Sequence, residues 1–176
     1  MAEIREAELT QEEIKSVLDY NPTTGVFTWK VRTSIRIEIG NVAGSFNKSN
    51  GYLMIGYSNS KYLAHRLAWI YVYGDIPNGL LIDHIDTDKL NNRVSNLRAC
   101  TQSENYKNVN IRSSNTSGYK GVSCHKETGK WRAEAWLNGV KHSLGLYLDK
   151  EDASKVYNDF CKLHHGDFYR DTTRKE

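Results

Sequence analysis

The sequence predicts an α+β protein: a strand hairpin with its helix on one side of a polar linker, and a three-stranded antiparallel sheet packed on one helix on the other. Three observations predict it. "LLIDH" and "NLRAC" are short apolar runs around a long polar loop, and Thr101 with Glu104 then stand at capping-box spacing for a helix beginning about Gln102. "YKGVSC", "KWRAEAWL" and "VKHSLGLY" alternate with period two, and "DKEDASKVYNDFCKLHHG" follows with helical spacing. Between them "NVNIRSSNTSG" is polar and lacks hydrophobic periodicity, which makes it the linker candidate.

Taken in order, "LTQEEIKSVLDYNPTTG" opens with Thr10 and Glu13 in capping-box spacing and reads as a short helix with Ile14, Val17 and Leu18 on one side, stopping at Asn21-Pro22. "GVFTWKV" and "GYLMIGY" read as strands, and the Gly-, Asn- and Ser-rich stretch between them as loops and short strands. "HRLAWIYVYG" is an apolar helix closed by Gly74, and "DIPNG" a turn into the hairpin. The parts are residues 1–60, a supporting region of helix and strands; 61–110, the hairpin core; 111–117, the linker; and 118–176, the sheet module.

A chain of 176 residues with 39% hydrophobic content can bury a real core. Its three cysteines, Cys100, Cys124 and Cys161, have no C-x-x-C spacing, so neither a disulfide framework nor a zinc knuckle is indicated and a reducing compartment is the default. No apolar run approaches the ~20 residues a membrane helix needs, and "MAEIREAELTQEEI" is too acidic for a signal peptide. The expectation is a cytoplasmic protein with no membrane contact and no protein partner implied. The net charge of +3 is uneven: residues 112–142 hold Arg112, Lys120, Lys126, Lys130, Arg132 and Lys141 against Glu127 and Glu134. That stretch has the positive field that attracts phosphate backbones, although charge alone also describes a solvated surface.

Within 81–105, Asp83 and His84 end the first strand, where they can face Asn105 across the hairpin, with Asn96 within the second strand able to bond across it. One acid, one imidazole and two amides converge in that arrangement. A calcium loop beginning at Asp86 is excluded, because its sixth position holds Asn91 and its twelfth Leu97 where glycine and glutamate are required. His65 in "AHRLAW" reads as a structural residue at a helix start, and Arg66 as a holder of a phosphate or of a core carboxylate.

"DHIDTDKLNNRVSNLRACTQSEN" resembles the HNH endonuclease family of ββα-metal fold, found in homing and phage nucleases. The resemblance implies that His84 is the general base, that Asp83 and Asn105 are metal ligands, and that Asn96 orients the loop and the histidine. Asn105 stands where many members have histidine, a variant of the homing-type branch. An amide oxygen suits Mg²⁺ or Mn²⁺ better than Zn²⁺, so a hard divalent cation is the expected cofactor. The chemistry needs such groups: an imidazole, whose ordinary pKa lies near neutrality, can take a proton from water, and a divalent ion can stabilise the leaving oxygen of a phosphodiester.

In the sheet module, Trp131, Ala133, Ala135 and Leu137 share one face of the middle strand; Lys130, Arg132, Glu134 and Trp136 share the other. Asn138-Gly139 is a strong hairpin signal, Asp149 an N-cap, and Ala153, Val156, Tyr157, Phe160 and His164 a helical face to cover the small-residue side. A β surface bearing cations and a Trp can enter the major groove. "GYKGV", "KWRAEAWL", "LGLYLDKEDASKVYN" and "HHGDFY" resemble the ethylene-response-factor (APETALA) type DNA-binding domain. That resemblance implies DNA contacts from Lys120, Arg132, Glu134, Trp136 and Lys141, to which Lys130 adds a phosphate contact. Lys120 stands where the plant domains have arginine and Trp136 replaces another, so their target sequence does not carry over. With "NPTTGVFTWK" in front, the whole is similar to phage-encoded HNH endonucleases carrying this module. The expectation is therefore a metal-dependent endonuclease acting on double-stranded DNA, with affinity concentrated in the module. The alternatives are a DNA-binding regulator with a degenerate nuclease fold, and a structured-RNA binder or RNase.

Overall fold

A computed structural model describes residues 9–108, 111, 115–137 and 139–166. The chain divides into two compact units, the first running to Thr101 and the second starting at Gln102.

The first unit begins with α1 (Gln11–Val17), where Thr10 and Glu13 form the reciprocal capping box. The helix is shorter than its sequence pattern. Leu18 leaves it in extended conformation, and β1 (Leu18–Asn21) pairs antiparallel with β2 (Val26–Trp29), placing Leu18 opposite Trp29 and Tyr20 opposite Phe27. The alternation that buries Leu18 and Tyr20 while exposing Asp19 and Asn21 fits a strand, and pairing across the Asn21–Gly25 turn overrides the helical reading. The Asn21 side chain caps that turn by accepting the N–H groups of Thr23 and Thr24. A second sheet, β3 (Ser45–Phe46), β4 (Leu53–Tyr57) and β5 (Ser60–Leu63), leads directly into α2 (Ala64–Tyr73), which Gly74 ends at φ +83°.

The hairpin follows. β6 (Leu81–His84) pairs antiparallel with β7 (Leu97–Cys100), setting His84 opposite Leu97 and Asp83 opposite Arg98. Ile14, Leu18, Phe27, Ile55, Leu67, Ile82 and Leu97 belong to one buried cluster, so the N-terminal region, α2 and the hairpin share a core. Burying a side chain of that size stabilises by about 1.5–3 kcal/mol, which is what makes the hairpin ends a fixed platform.

The second unit opens with α3 (Gln102–Asn108), which begins where the capping signals place it. The linker candidate lies partly outside the described residues. Asn115 and Ser117 are ordered: the Ser117 hydroxyl is within bonding distance of the Val122 carbonyl at 2.8 Å and the Asn115 amide donates to the Tyr119 carbonyl. β8 (Val122–His125), β9 (Lys130–Leu137) and β10 (Val140–Tyr147) form an antiparallel sheet with β9 central, and α4 (Lys150–His165) covers one face. Of the turn expected at Asn138-Gly139, Asn138 lies outside the described residues and Gly139 takes φ +79°. On α4 the inward stripe is Ala153, Tyr157 and Cys161 at spacing four, with Val156 and Phe160 half-buried. His164 is exposed rather than inward, because Cys161 takes the next turn's contact. β10 carries a bulge between Ser143 and Gly145. Gly145 sits at φ +121°, where an added Cβ would lie 2.9 Å from the Tyr147 hydroxyl, and that hydroxyl donates back to the Leu144 carbonyl at 2.7 Å.

Candidate active site

His84, the last residue of β6, is 4% exposed. The His65 ring lies 4.8 Å away, centroid to centroid, and that of Tyr52 6.1 Å away, while Tyr52 and His65 themselves stack at 5.0 Å. Nε2 of His84 is 3.1 Å from Oδ1 of Asn92, which is almost fully buried. His65 sits in the first turn of α2, so the structural role read for it is realised as a wall behind the hairpin histidine. Burial, then the neighbouring His84 and Arg66 charges, push its pKa down to about 3, and its Nδ1 has no hydrogen-bond partner among the described residues. Arg66 follows it on α2, half-buried.

Asp83 points its carboxylate at Arg98 on β7: both Nε and Nη2 of the guanidinium donate to Oδ2, at 3.0 and 2.9 Å. The pair is largely shielded from solvent, and the cross-strand register makes it possible.

Asn96 ends a 3-10 turn over Val94–Asn96, just before β7 rather than within that strand. From there Nδ2 donates to Asp86 Oδ1 and to the Asn91 carbonyl, each at 2.9 Å, and Oδ1 accepts the Asp86 N–H at 3.1 Å. A strand position would have aimed the amide across the hairpin; the turn aims it along the loop. Asn91 adds a bond to the other Asp86 oxygen. Burial raises the Asp86 pKa, but the bonds from Asn91, Asn96 and the Asp88 N–H outweigh it and hold the carboxyl below its ordinary value. The loop is tied down again by Lys89, whose Nζ donates to the Asn50 carbonyl at 2.9 Å and lies 4.5 Å over the Tyr52 ring.

Thus His84, Asp83 and Asn96 are gathered at one end of the β6–β7 hairpin. Asn105 sits half-buried on α3, in the second unit. Asn92, which touches His84 directly, was not singled out by sequence, where it is one amide among many; its only local signal is its place eight residues after the histidine.

In the second unit, Lys130, Trp136 and Lys141 are exposed on the sheet, with Trp136 at 62%. Glu134 is flanked by two cations: Lys141 Nζ at 2.8 Å and Arg132 Nε at 3.3 Å, the latter an ion-pair distance without hydrogen-bond geometry. Lys120 departs from an open surface position. It is half-buried, and burial lowers its pKa, with the Cys161 thiol acting the other way. Among the described residues no helix is long and apolar enough to cross a membrane, and no three His, Cys, Asp or Glu side chains gather into a metal cluster.

An antiparallel hairpin ending in a buried histidine, with an asparagine-locked loop and a helix next in sequence, defines a ββα nuclease motif. The HNH endonuclease family profile matches residues 62–107. Protein 3.8 of Escherichia phage T7 is 38% identical over 106 residues, 60% of this chain and 87% of that protein. An uncharacterized HNH endonuclease, L560, of Acanthamoeba polyphaga mimivirus is 32% identical over 65% of this chain and 59% of its own length. A solved structure, described as DNA binding and cleavage by the HNH homing endonuclease I-HmuI, shares 25% identity over 54% of this chain and 56% of that one, at a TM-score of 0.42. Residues 62–107 thus form an HNH endonuclease domain, and the relatives of the chain include phage and viral proteins.

Proposed function

We propose that the protein hydrolyses phosphodiester bonds in double-stranded DNA with a divalent cation, using His84 as general base, and that the sheet of the second unit anchors the DNA. The supporting observation is the buried His84 at the hairpin end, ringed by His65, Tyr52 and Asn92 and adjacent in sequence to a carboxylate. A histidine so confined holds one orientation, which a base must have to reach its proton.

The donor set fits a hard cation. Asp83 brings a carboxylate and Asn105, by its motif position, an amide oxygen, both suited to Mg²⁺ or Mn²⁺. Two protein donors leave most of an octahedral shell to water and to phosphate oxygens, in keeping with the lack of a larger acidic cluster among the described residues. When bound, the ion supplies Lewis-acid stabilisation of charge on the phosphate and the leaving oxygen. The rest falls to the chain. His84 takes a proton from the attacking water, Arg98 fixes the Asp83 carboxylate, and Asn96 with Asp86 holds the loop that closes the hairpin. On the second unit Lys130, Arg132 and Lys141 neutralise phosphates, and Trp136 offers an apolar contact.

The test is His84→Ala, assayed on supercoiled plasmid with Mg²⁺ or Mn²⁺ and, separately, by mobility shift. Cleavage should fall by about 10²–10⁴-fold, the range of a lost general base, while DNA binding stays within a few-fold. Undiminished nicking would remove His84 from the chemistry.

A further inference from the structure

We propose that Asn92, braced from behind by the β1–β2 hairpin, is a positioning residue that selects the tautomer and orientation of His84. The proposal rests on the reading of His84 as the base.

Asn92 lies between the imidazole and the N-terminal hairpin, and its amide orientation is determined. Nδ2 approaches the Leu90 carbonyl at 3.4 Å, a contact only a donor can make, which turns Oδ1 toward His84 Nε2 at 3.1 Å. An amide oxygen only accepts, so in the neutral ring the hydrogen resides on Nε2 and the basic lone pair on Nδ1. The rings of His65 and Tyr52 restrict the plane of the imidazole. His65 meets the ring edge-on, at 62° between planes, and the Asn92 oxygen is the hydrogen-bond partner that singles out Nε2.

Asn92 is itself held from sequence-distant residues. Its carbonyl accepts the Tyr20 hydroxyl at 2.7 Å, across 72 positions, and its N–H donates to the Leu90 carbonyl at 3.0 Å. Tyr20 is buried, and burial pushes its phenol up to about 12, so the hydroxyl remains a donor throughout the working pH range. Gly25, at φ +75°, completes the brace: a Cβ there would lie 2.6 Å from both the carbonyl carbon of Asn92 and the nitrogen of Arg93. The turn "NPTTG" thus ends in glycine because the peptide after Asn92 passes against it. One line of contacts joins Tyr20 and Gly25 to Asn92, and Asn92 to His84. The N-terminal hairpin acts on the reaction through another residue and touches no reacting atom.

The experiment uses the full chain, with plasmid cleavage resolved into kcat and KM, and two-bond ¹H–¹⁵N spectra of histidine-labelled protein to read the tautomer. The native protein should show His84 with hydrogen on Nε2. Asn92→Ala should lower kcat by about 10–100-fold, the usual cost of losing a residue that orients a catalytic ligand, with KM within twofold and the tautomer signal shifted toward a mixture. Tyr20→Phe deletes one hydroxyl, which makes it the decisive variant if Asn92→Ala fails to fold; it should lower kcat at least threefold at unchanged KM. Hydrogen on Nδ1 in the native protein, or full kcat in Tyr20→Phe, overturns the proposal. A shifted tautomer with unimpaired cleavage would instead overturn the role of His84 as base while leaving the contact in place.

Discussion

The two units use polar side chains in opposite ways. In the first, His65, His84, Asn92 and Asn96 are all buried in a unit whose core is built of Ile, Leu, Phe and Trp. In the second, the core is made of small residues such as Ala133, Ala135 and Ala153, and Lys130, Trp136 and Lys141 stand on an exposed sheet face. A buried polar group that loses its partner costs about 1–3 kcal/mol, whereas an exposed ion pair contributes about 0–1 kcal/mol. Position is therefore expensive to disturb among the buried imidazoles and amides of the first unit and cheap on the sheet face of the second, where the buried polar side chains include the hydroxyls of Ser117 and Ser154. Substitutions in the first should register as lost fold and geometry; those in the second should register as changed affinity.

The sharpest way to break this contrast is Asn96→Ala, which removes three hydrogen bonds and strands the Asn91 carbonyl and the Asp86 N–H. Urea unfolding should show a loss of about 2–3 kcal/mol. A loss below that of an ordinary surface substitution would mean that the loop is held by something else. A second break, whose size depends on how far the pH is lowered, is a pH effect from His65. Its folded pKa of about 3 lies below the ordinary 6.5, so between those values the unfolded chain binds a proton that the folded one does not. Stability is then complete above about pH 6.5 and declines as pH falls toward 3, by up to ~1.4 kcal/mol per unit. His65→Phe should flatten that slope in thermal melts taken across the window, and an unaltered slope would assign the effect to other groups.

On the second unit, Lys141→Ala should reduce the slope of log affinity against log salt by about one, as expected for one phosphate contact. Glu134→Gln should act the other way, strengthening low-salt binding several-fold, because Glu134 now neutralises both Lys141 and Arg132. If neither variant moves the salt dependence in mobility shifts, the DNA surface lies elsewhere. The smallest effect is on folding. Trp136→Ala should change stability by no more than ~0.5 kcal/mol, given its exposure, while weakening DNA binding at nearly constant salt slope.

What was legible in the sequence was whatever local pattern decides. The capping box at Thr10, the Gly74 stop, the 81–100 hairpin with α3 after it, and the three strands and helix of the second unit are all written in spacing over a few residues. β1 was not legible, because Ile14, Val17 and Leu18 continue a helical stripe and only pairing with β2 shows that the chain has already straightened. The site divides in the same manner. Asp83, His84 and Asn96 could be picked out by residue type and interval, yet the interval did not reveal that Asn96 stands in a turn and bonds along the loop. Asn92 was out of reach, since what distinguishes it from Asn91 is a tyrosine 72 positions earlier. On β10, the period-two alternation read from the sequence runs unbroken only up to Ser143, where the bulge begins.

That bulge has a consequence for how the sheet tolerates change in length. Beyond it the odd-even frame of β10 is inverted: Lys141 and Ser143 lie opposite Trp136 and Glu134, and the row continues with Leu146, opposite Arg132, rather than with Gly145. One supernumerary residue therefore keeps both Leu144 and Tyr147 against the core and Leu146 on the opposite face. Deleting Leu144 itself would restore a regular ladder in which Gly145, Leu146 and Tyr147 keep their partners and their faces, and would remove only the contact of Leu144 with the core. Gly145→Ala would leave the faces as they are but press a methyl group against the Tyr147 ring, whereas excision at 144 would keep the faces and remove one core leucine.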